Sequence, residues 1–308
     1  MDVIRHIVDV MLHVAVLLLL PPLLLGIICK TKAVFAGRVG PPMLQAYYDI
    51  AKCLRRGLVL SGTTTWIFVA GPVVTLATVL LAGLMVPFGG AGAPISFAGD
   101  VIFFAYLFGL ARFFTAAAAL DTGSAFEGMG SSREVTFACL SEPALFFAFL
   151  VLAKISGSLT LAVMTHAPAA AFSVHVVAPL VLIAVGLFIV LLAEACRIPV
   201  DDPTTHLELT MIHEAMVLDH SGPLFGMIQY AASVKLLVLG SLLLHVLAPF
   251  EFARAWLNWP LHIAELLGLA VVIGVVESLM ARLQMRHVPY LLGGALLSCA
   301  FGFVFLIR

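Results

Sequence analysis

Charge is what this sequence has least of. Only 11% of its 308 residues are Asp, Glu, Lys or Arg and 62% are hydrophobic, whereas a soluble domain carries about a quarter charged and about half apolar residues. That balance excludes an ordinary soluble globular protein. No polar stretch is long enough to fold by itself, so residues 1–308 read as one membrane domain. The net charge of −1 offers no basic surface, which excludes nucleic acid as a partner. The five cysteines, at positions 29, 53, 139, 196 and 299, include no C-x-x-C pair. Neither iron–sulfur ligation nor a disulfide framework is written here, so no cofactor is expected on this chain. Internal repeats are also missing, which argues against a transporter built from inverted halves. The first apolar block lacks a small-x-small cleavage site before Pro21 and Pro22, and is expected to be retained as a span.

What is present is eight continuous apolar blocks, residues 7–28, 65–88, 101–120, 135–155, 174–193, 224–248, 261–281 and 290–307. Each is near the ~20 residues a helix needs to cross a bilayer. A barrel would show short alternating segments instead, so the expected fold is all-α, with eight transmembrane helices. Lys30, Lys32, Arg38, Lys52, Arg55, Arg56, Arg133, Arg197, Arg282 and Arg286 fall on one side of these spans, against Arg5, Arg254 and Arg308 on the other. The positive side should be cytoplasmic, with both termini outside; the expected location is the inner membrane. The outer connections, 89–100, 156–173 and 249–260, are nearly chargeless and read as simple turns.

The inner loops are different in kind. In the first, the run GRVGPP at 37–42 forces a sharp turn, and residues 43–56 then show the spacing of a short amphipathic helix lying on the membrane surface. In the second, DTGSAFEGMGSSRE at 121–134, glycines 123, 128 and 130 predict a loop that changes shape. The third, 194–222, holds Glu194, Asp201, Asp202, Glu208, Glu214, Asp219 and three histidines. Asp202 or Thr204 is placed to cap a helix running to Asp219, with His206, His213 and His220 on one face. Metal ligation, proton-passing carboxylate and imidazole pairs, and a subunit interface all remain open for it, although no H-E-x-x-H is present.

Two ionisable residues lie deep in spans. Glu142 is eight residues beyond Glu134 and Lys235 eleven beyond Leu224, about 12 and 16 Å along their helices. A charge at such depth costs ~3 kcal/mol or more unless it faces protein or water, so both are functional candidates. Arg112, Lys154, Glu265 and Glu277 lie nearer span ends and read as snorkelling or ion-paired residues. The candidate proton path is therefore Glu142, Lys235, Glu194, Asp201, Glu208, Glu214 and Asp219.

Together the three inner loops resemble the ND1-like membrane subunit family of respiratory complex I. They are most similar to its counterparts in group 4 membrane-bound hydrogenases, of the formate hydrogenlyase and hydrogenase-4 kind. The resemblance covers most of the chain. It is carried by Arg38, Gly40, Pro41, Gln45, Asp49 and Lys52 in the first loop, Gly130, Arg133 and Glu142 in the second, and Glu194, Arg197, Pro199, Val200 and Asp201 in the third. Two family glutamates appear here as Thr204 and His206 while Glu208 is retained, and Asp219, His220, Ser221 and Gly222 stand for the family's Glu-Tyr-Ser-Gly ending. These changes lean toward the hydrogenase side. The resemblance implies a membrane anchor that docks a hydrogenase-like large subunit and an iron–sulfur small subunit, which would hold the NiFe centre and the iron–sulfur clusters. It also implies antiporter-like membrane neighbours and lipid as partners, and proton or sodium movement coupled to electron transfer. The alternatives are a quinone-site subunit of a complex I relative and a cation transporter, and a quinone-like slot is expected to be empty or lipid-filled. Arg38, Gly40, Pro41, Gln45, Asp49, Lys52, Arg133 and Arg197 would then form the docking surface or a quinone-like slot, framed by the turn at 38–42 and the glycine loop at 123–130.

Overall fold

A computed structural model describes residues 2–90, 92–170, 174–201, 211–248, 252 and 255–307. Among these the fold is all-helical, and seven helices are long and apolar enough to cross a membrane, with a bent pair supplying an eighth crossing. The bent pair is α1 (Asp2–Leu19) and α2 (Pro21–Phe35), where the sequence predicts one straight span. The two meet at 46°, because Pro21 and Pro22 lack the N–H groups that would continue the ladder. Two tyrosines satisfy the carbonyls left at the break: the Tyr230 hydroxyl donates to Leu18 O at 2.8 Å, and that of Tyr47 donates to Leu19 O.

The short surface helix α3 (Gln45–Leu54) follows, with no residue fully buried. Next come α4 (Trp66–Met85) and α5 (Asp100–Asp121). The Asp121 carboxylate accepts from the Thr65 amide at 2.6 Å and hydroxyl at 2.8 Å, tying the end of α5 to the start of α4.

Helix α6 (Ala125–Ser156) has 32 residues and absorbs most of the expected glycine loop. Only Gly123 takes a left-handed φ, +70°, before Ser124 sets the N-terminus; Gly128 and Gly130 are helical. Gly130 serves close packing instead of mobility, since a Cβ there would stand 3.0 Å from the Ile212 carbonyl oxygen and from Met216.

The connection expected to be a simple outer turn holds a ten-residue helix, α7 (Leu161–Ala170), whose first amide is held by the buried Asp100 carboxylate. After α8 (Val174–Glu194), the helix predicted for the third inner loop is confined, among the described residues, to α9 (His213–Met216). Asp201 caps it by accepting from the Ile212 and His213 amides at 3.1 Å each. The Asp219 amide turns away to donate to Glu127 at 3.0 Å, so His213 and His220 do not share a helical face. His206 and Glu208 lie outside the described residues. The bundle closes with α10 (Gly222–Leu247), α11 (Asn258–Leu279) and α12 (Val288–Ile307). Helix α10 is the central one: it packs against α2, α3, α4, α7, α8 and α11.

Candidate functional site

The centre of the bundle is ionic. Arg112 projects from α5, 8% exposed, and its guanidinium meets three carboxylates: Glu134 at 3.4 Å, Glu142, and Glu194. Glu134 and Glu142 stand on α6, eight residues apart, and Glu194 ends α8. Glu194 also accepts from the Ser141 hydroxyl at 3.0 Å and faces Lys235 Nζ of α10 at 2.6 Å. Lys235 Nζ stands 5.9 Å from the centre of the Phe108 ring. A planar guanidinium with five donors suits such a junction, because it addresses several carboxylates at once where an ammonium offers one point charge. With all groups ionised the cluster sums to −1, two cations against three carboxylates. It therefore has room for one added proton without becoming cationic.

Two small cavities adjoin it. One of about 50 Å³ is lined by Arg112, Glu134, Glu194, Cys196, His213 and Lys235 among others, enough for ordered water. A smaller one of about 10 Å³ lies between Glu134, Ser141, Glu194, Cys196 and Asp201. A third and wider cavity, about 350 Å³, opens beside them. It is lined by Gly26 and Cys29 of α2, Pro41 and Pro42 of the turn, Gln45 and Asp49 of α3, Arg197, His213, Glu214, and Gln229 of α10. The wide cavity and the 50 Å³ cavity share a wall of Cys196, His213, Ile228 and Ala232. Cys196 takes φ +52°, the one left-handed non-glycine among the described residues. Burial pushes its thiol well above the ordinary range, so it faces these cavities protonated.

Several of the residues singled out in the sequence meet here, and others do not. Glu142, Glu194 and Lys235 are joined in one cluster, although Glu142 is not sequestered: its side chain is 45% exposed. Asp201 stands one layer out, paired with Arg282 at 2.9 Å. Arg197 lies 3.6 Å from the buried Glu277, which Lys32 meets at 2.8 Å; this triad ties α2 and α11 to the loop after α8. Glu214 lines the wide cavity, whereas Asp219 is exposed. In the first loop, Lys30 Nζ donates to Val39 O at 2.6 Å and Gln45 donates to Asp49 at 2.9 Å, while Arg38 and Lys52 are exposed. Gly40 holds φ +69°, and a Cβ on it would stand 2.4 Å from that of Ala33, so only glycine fits. Arg133 donates to Met211 O at 2.8 Å, clamping α6 to the segment before α9. Residues 123–130 do not line the wide cavity; its far wall comes from Val217, Phe225 and Gln229.

The sequence pattern does not single out Glu134, and it sets Arg112 near a span end although Arg112 lies deep. It stands nine residues from Asp121, about 13 Å along the helix, a depth close to that of Glu142 measured from Glu134. Matching depths on consecutive spans was the available signal.

Among the described residues, seven apolar helices and the bent pair around a buried ionic cluster define a polytopic helical membrane protein. The family model described as NADH dehydrogenase matches residues 8–308, and the chain belongs to that family. It is 32% identical to formate hydrogenlyase subunit 4 of Escherichia coli K12, over 96% of this chain and 95% of that protein. It is also 32% identical to hydrogenase-4 component C of the same organism, over 90% and 89%. NADH-ubiquinone oxidoreductase chain 1 of Podospora anserina matches at 28% over 75% and 65%. The fold is that of a chain in the membrane-bound sulfane sulfur reductase, an archaeal respiratory membrane complex. There the TM-score is 0.80 at 19% identity, over 98% of this chain and 99% of that one.

Proposed function

We propose that this chain is the anchor and coupling subunit of a membrane-bound hydrogenase or formate hydrogenlyase type complex. In this reading it docks a hydrogenase-like large subunit and an iron–sulfur small subunit on its cytoplasmic face, and both of its termini face the outside of the inner membrane. The NiFe centre and the clusters belong to those partners. The observation that carries the reading is the Arg112 cluster. It sits beside a cavity walled by the basic turn and α3, and it holds one carboxylate in excess of its cations. A change of charge or protonation at the docked arm alters the field at that cavity, and Cys196 and His213 line both it and the cavity that holds Glu194 and Lys235. Moving a proton on or off a carboxylate of the cluster shifts how Arg112 and Lys235 are shared, which is how one event biases the next along α10. Glu142 supports a membrane neighbour. It lies 14 residues from the far end of α6, about 21 Å, and a half-exposed carboxylate at that depth needs protein or water against it. Antiporter-like subunits suit that face.

The test is Glu142→Gln together with Lys235→Met in the purified complex in liposomes. Both should assemble and transfer electrons while coupled proton or sodium movement falls. Ion movement at the original ratio in both variants would overturn the coupling role. Crosslinkers placed at Arg38, Gln45, Asp49, Arg55 and Arg56 should capture the soluble subunits; capture of none would overturn the docking face.

The wide cavity favours a second reading, a quinone site, because its ~350 Å³ lies within the range of small-molecule pockets and mixes apolar walls with a few polar groups. Activity that requires added quinone and stops with a cavity-directed inhibitor would place this reading first.

A further inference from the structure

At the bundle end away from the Arg112 cluster, four imidazoles from four helices stand in a row. His13 of α1 stacks on Phe88 at 4.2 Å between ring centres, and Phe88 stacks in turn on His262 of α11 at 5.6 Å. His245 of α10 lies 5.6 Å from His262, and His166 of α7 meets His245 edge-on at 6.3 Å. Packing of apolar helix ends needs no such concentration of titratable rings, and the charge cluster at the other end makes no use of it.

The hydrogen bonds assign the rings different tasks. A carbonyl only accepts, so His13 must donate its Nε2–H to Gly83 O at 2.9 Å, and His245 its Nδ1–H to Ser241 O at 2.7 Å. His13 is 1% exposed and its Nδ1 has no partner. A proton placed there would be an unpaired buried donor, so His13 stays neutral. His262 is placed differently. Its Nε2 shares a hydrogen bond of 2.9 Å with the Ser241 hydroxyl, a group able to donate or accept, and its Nδ1 stands 3.7 Å from the Glu265 carboxylate. The other titratable groups on the surrounding elements are occupied elsewhere: Asp9 accepts from the Trp259 indole at 3.2 Å, and Asp100 binds the Phe97 and Leu161 amides.

We propose that His262, with Glu265 and Ser241, is a binding site for a single proton at this end of the bundle, reached through the partly exposed Glu265, His245 and His166. His262 is the ring whose cation has a carboxylate against it. When a proton arrives at Nδ1 or Nε2, Glu265 balances the charge and the Ser241 hydroxyl turns to accept or donate accordingly. A second proton on His245 would set two cations at ring contact and is refused. The site loads and releases one proton without a change in covalent structure. It stands whether or not the Arg112 cluster couples ion movement.

The test is infrared difference spectroscopy of the full chain in its membrane assembly between about pH 5 and 8, the range in which an imidazole titrates, comparing wild type with H262Q, H245Q and E265Q. Wild type should show imidazolium bands from the histidines that take up a proton, His262 among them. H262Q should lose one such contribution, H245Q should keep it, and E265Q should show it weakened at about pH 6. Glu265 is partly exposed, so E265Q tests the site even where H262Q disturbs folding. A signal unchanged in H262Q, lost in H245Q, or equal to wild type in E265Q would overturn the proposal.

Discussion

Glu194 and Glu142 touch the same guanidinium, yet removing their charges should have very different consequences. The Glu194 side chain is 9% exposed and is addressed by Arg112, by the Ser141 hydroxyl and by Lys235 Nζ at 2.6 Å. Glu194→Gln keeps the shape but leaves Lys235 without its counter-ion in the middle of the bundle. Removing one partner of a buried pair costs about 3–5 kcal/mol. Glu142 is 45% exposed, its described partner is Arg112, and Arg112 retains Glu134 and Glu194 without it. Glu142→Gln keeps the shape and strands no cation, so it should cost no more than ~1 kcal/mol. The gap between the variants should therefore be about 2 kcal/mol or more. Thermal unfolding of the purified assembly, measured for both variants and for each combined with Arg112→Gln, reads it directly. The double variant carrying Glu194→Gln should show a coupling of about 1–3 kcal/mol, and that carrying Glu142→Gln a much smaller one. Equal costs for the two carboxamides, or no coupling between Arg112 and Glu194, would refute the placement of Glu194 as the hub of the cluster.

Gly40→Ala should destabilise the first inner turn by more than ~1 kcal/mol in the same unfolding assay, since it meets both a left-handed φ and the Ala33 methyl. Gly37→Ala, with a similar φ of +65° but open space around it, should cost less. Tyr230→Phe should cost about 1–3 kcal/mol by leaving the Leu18 carbonyl unpartnered at the α1–α2 break, measurable as faster thermal inactivation. His220 is stacked on Phe68 at 4.0 Å with neither ring nitrogen hydrogen-bonded, and burial lowers its pKa to about 4. Its unfolded form binds a proton first. The stability it contributes is therefore full above about pH 6.5 and is lost as pH falls toward about 4, by roughly 3 kcal/mol in all. His220→Gln should flatten the acid limb of the stability profile, and an unchanged limb would show that the loss arises elsewhere.

Composition alone determined that this is a membrane-spanning helical bundle. In hydrocarbon every backbone group must be satisfied within its own helix, so continuous apolar runs of about 20 residues leave no other choice. The turn at 37–42 and the surface helix after it were equally legible, because glycine, proline and helical spacing act over a few residues. Features that depend on distant partners were not. The break at Pro21 is held by Tyr47 and Tyr230, Gly130 of α6 leaves room for the close approach of α9, and the third inner loop is turned by Asp201 and Glu127. The four histidines behind Phe88 lie 13 to 262 residues along the chain, and no local pattern links them. Most of all, Arg112 read as a residue near a helix end when taken by itself. Its place at the centre follows from α6 and α8 bringing three carboxylates to its guanidinium, while α10 brings Lys235 to one of them. A buried charge is defined by its partners, and only the tertiary packing decides which partners those are.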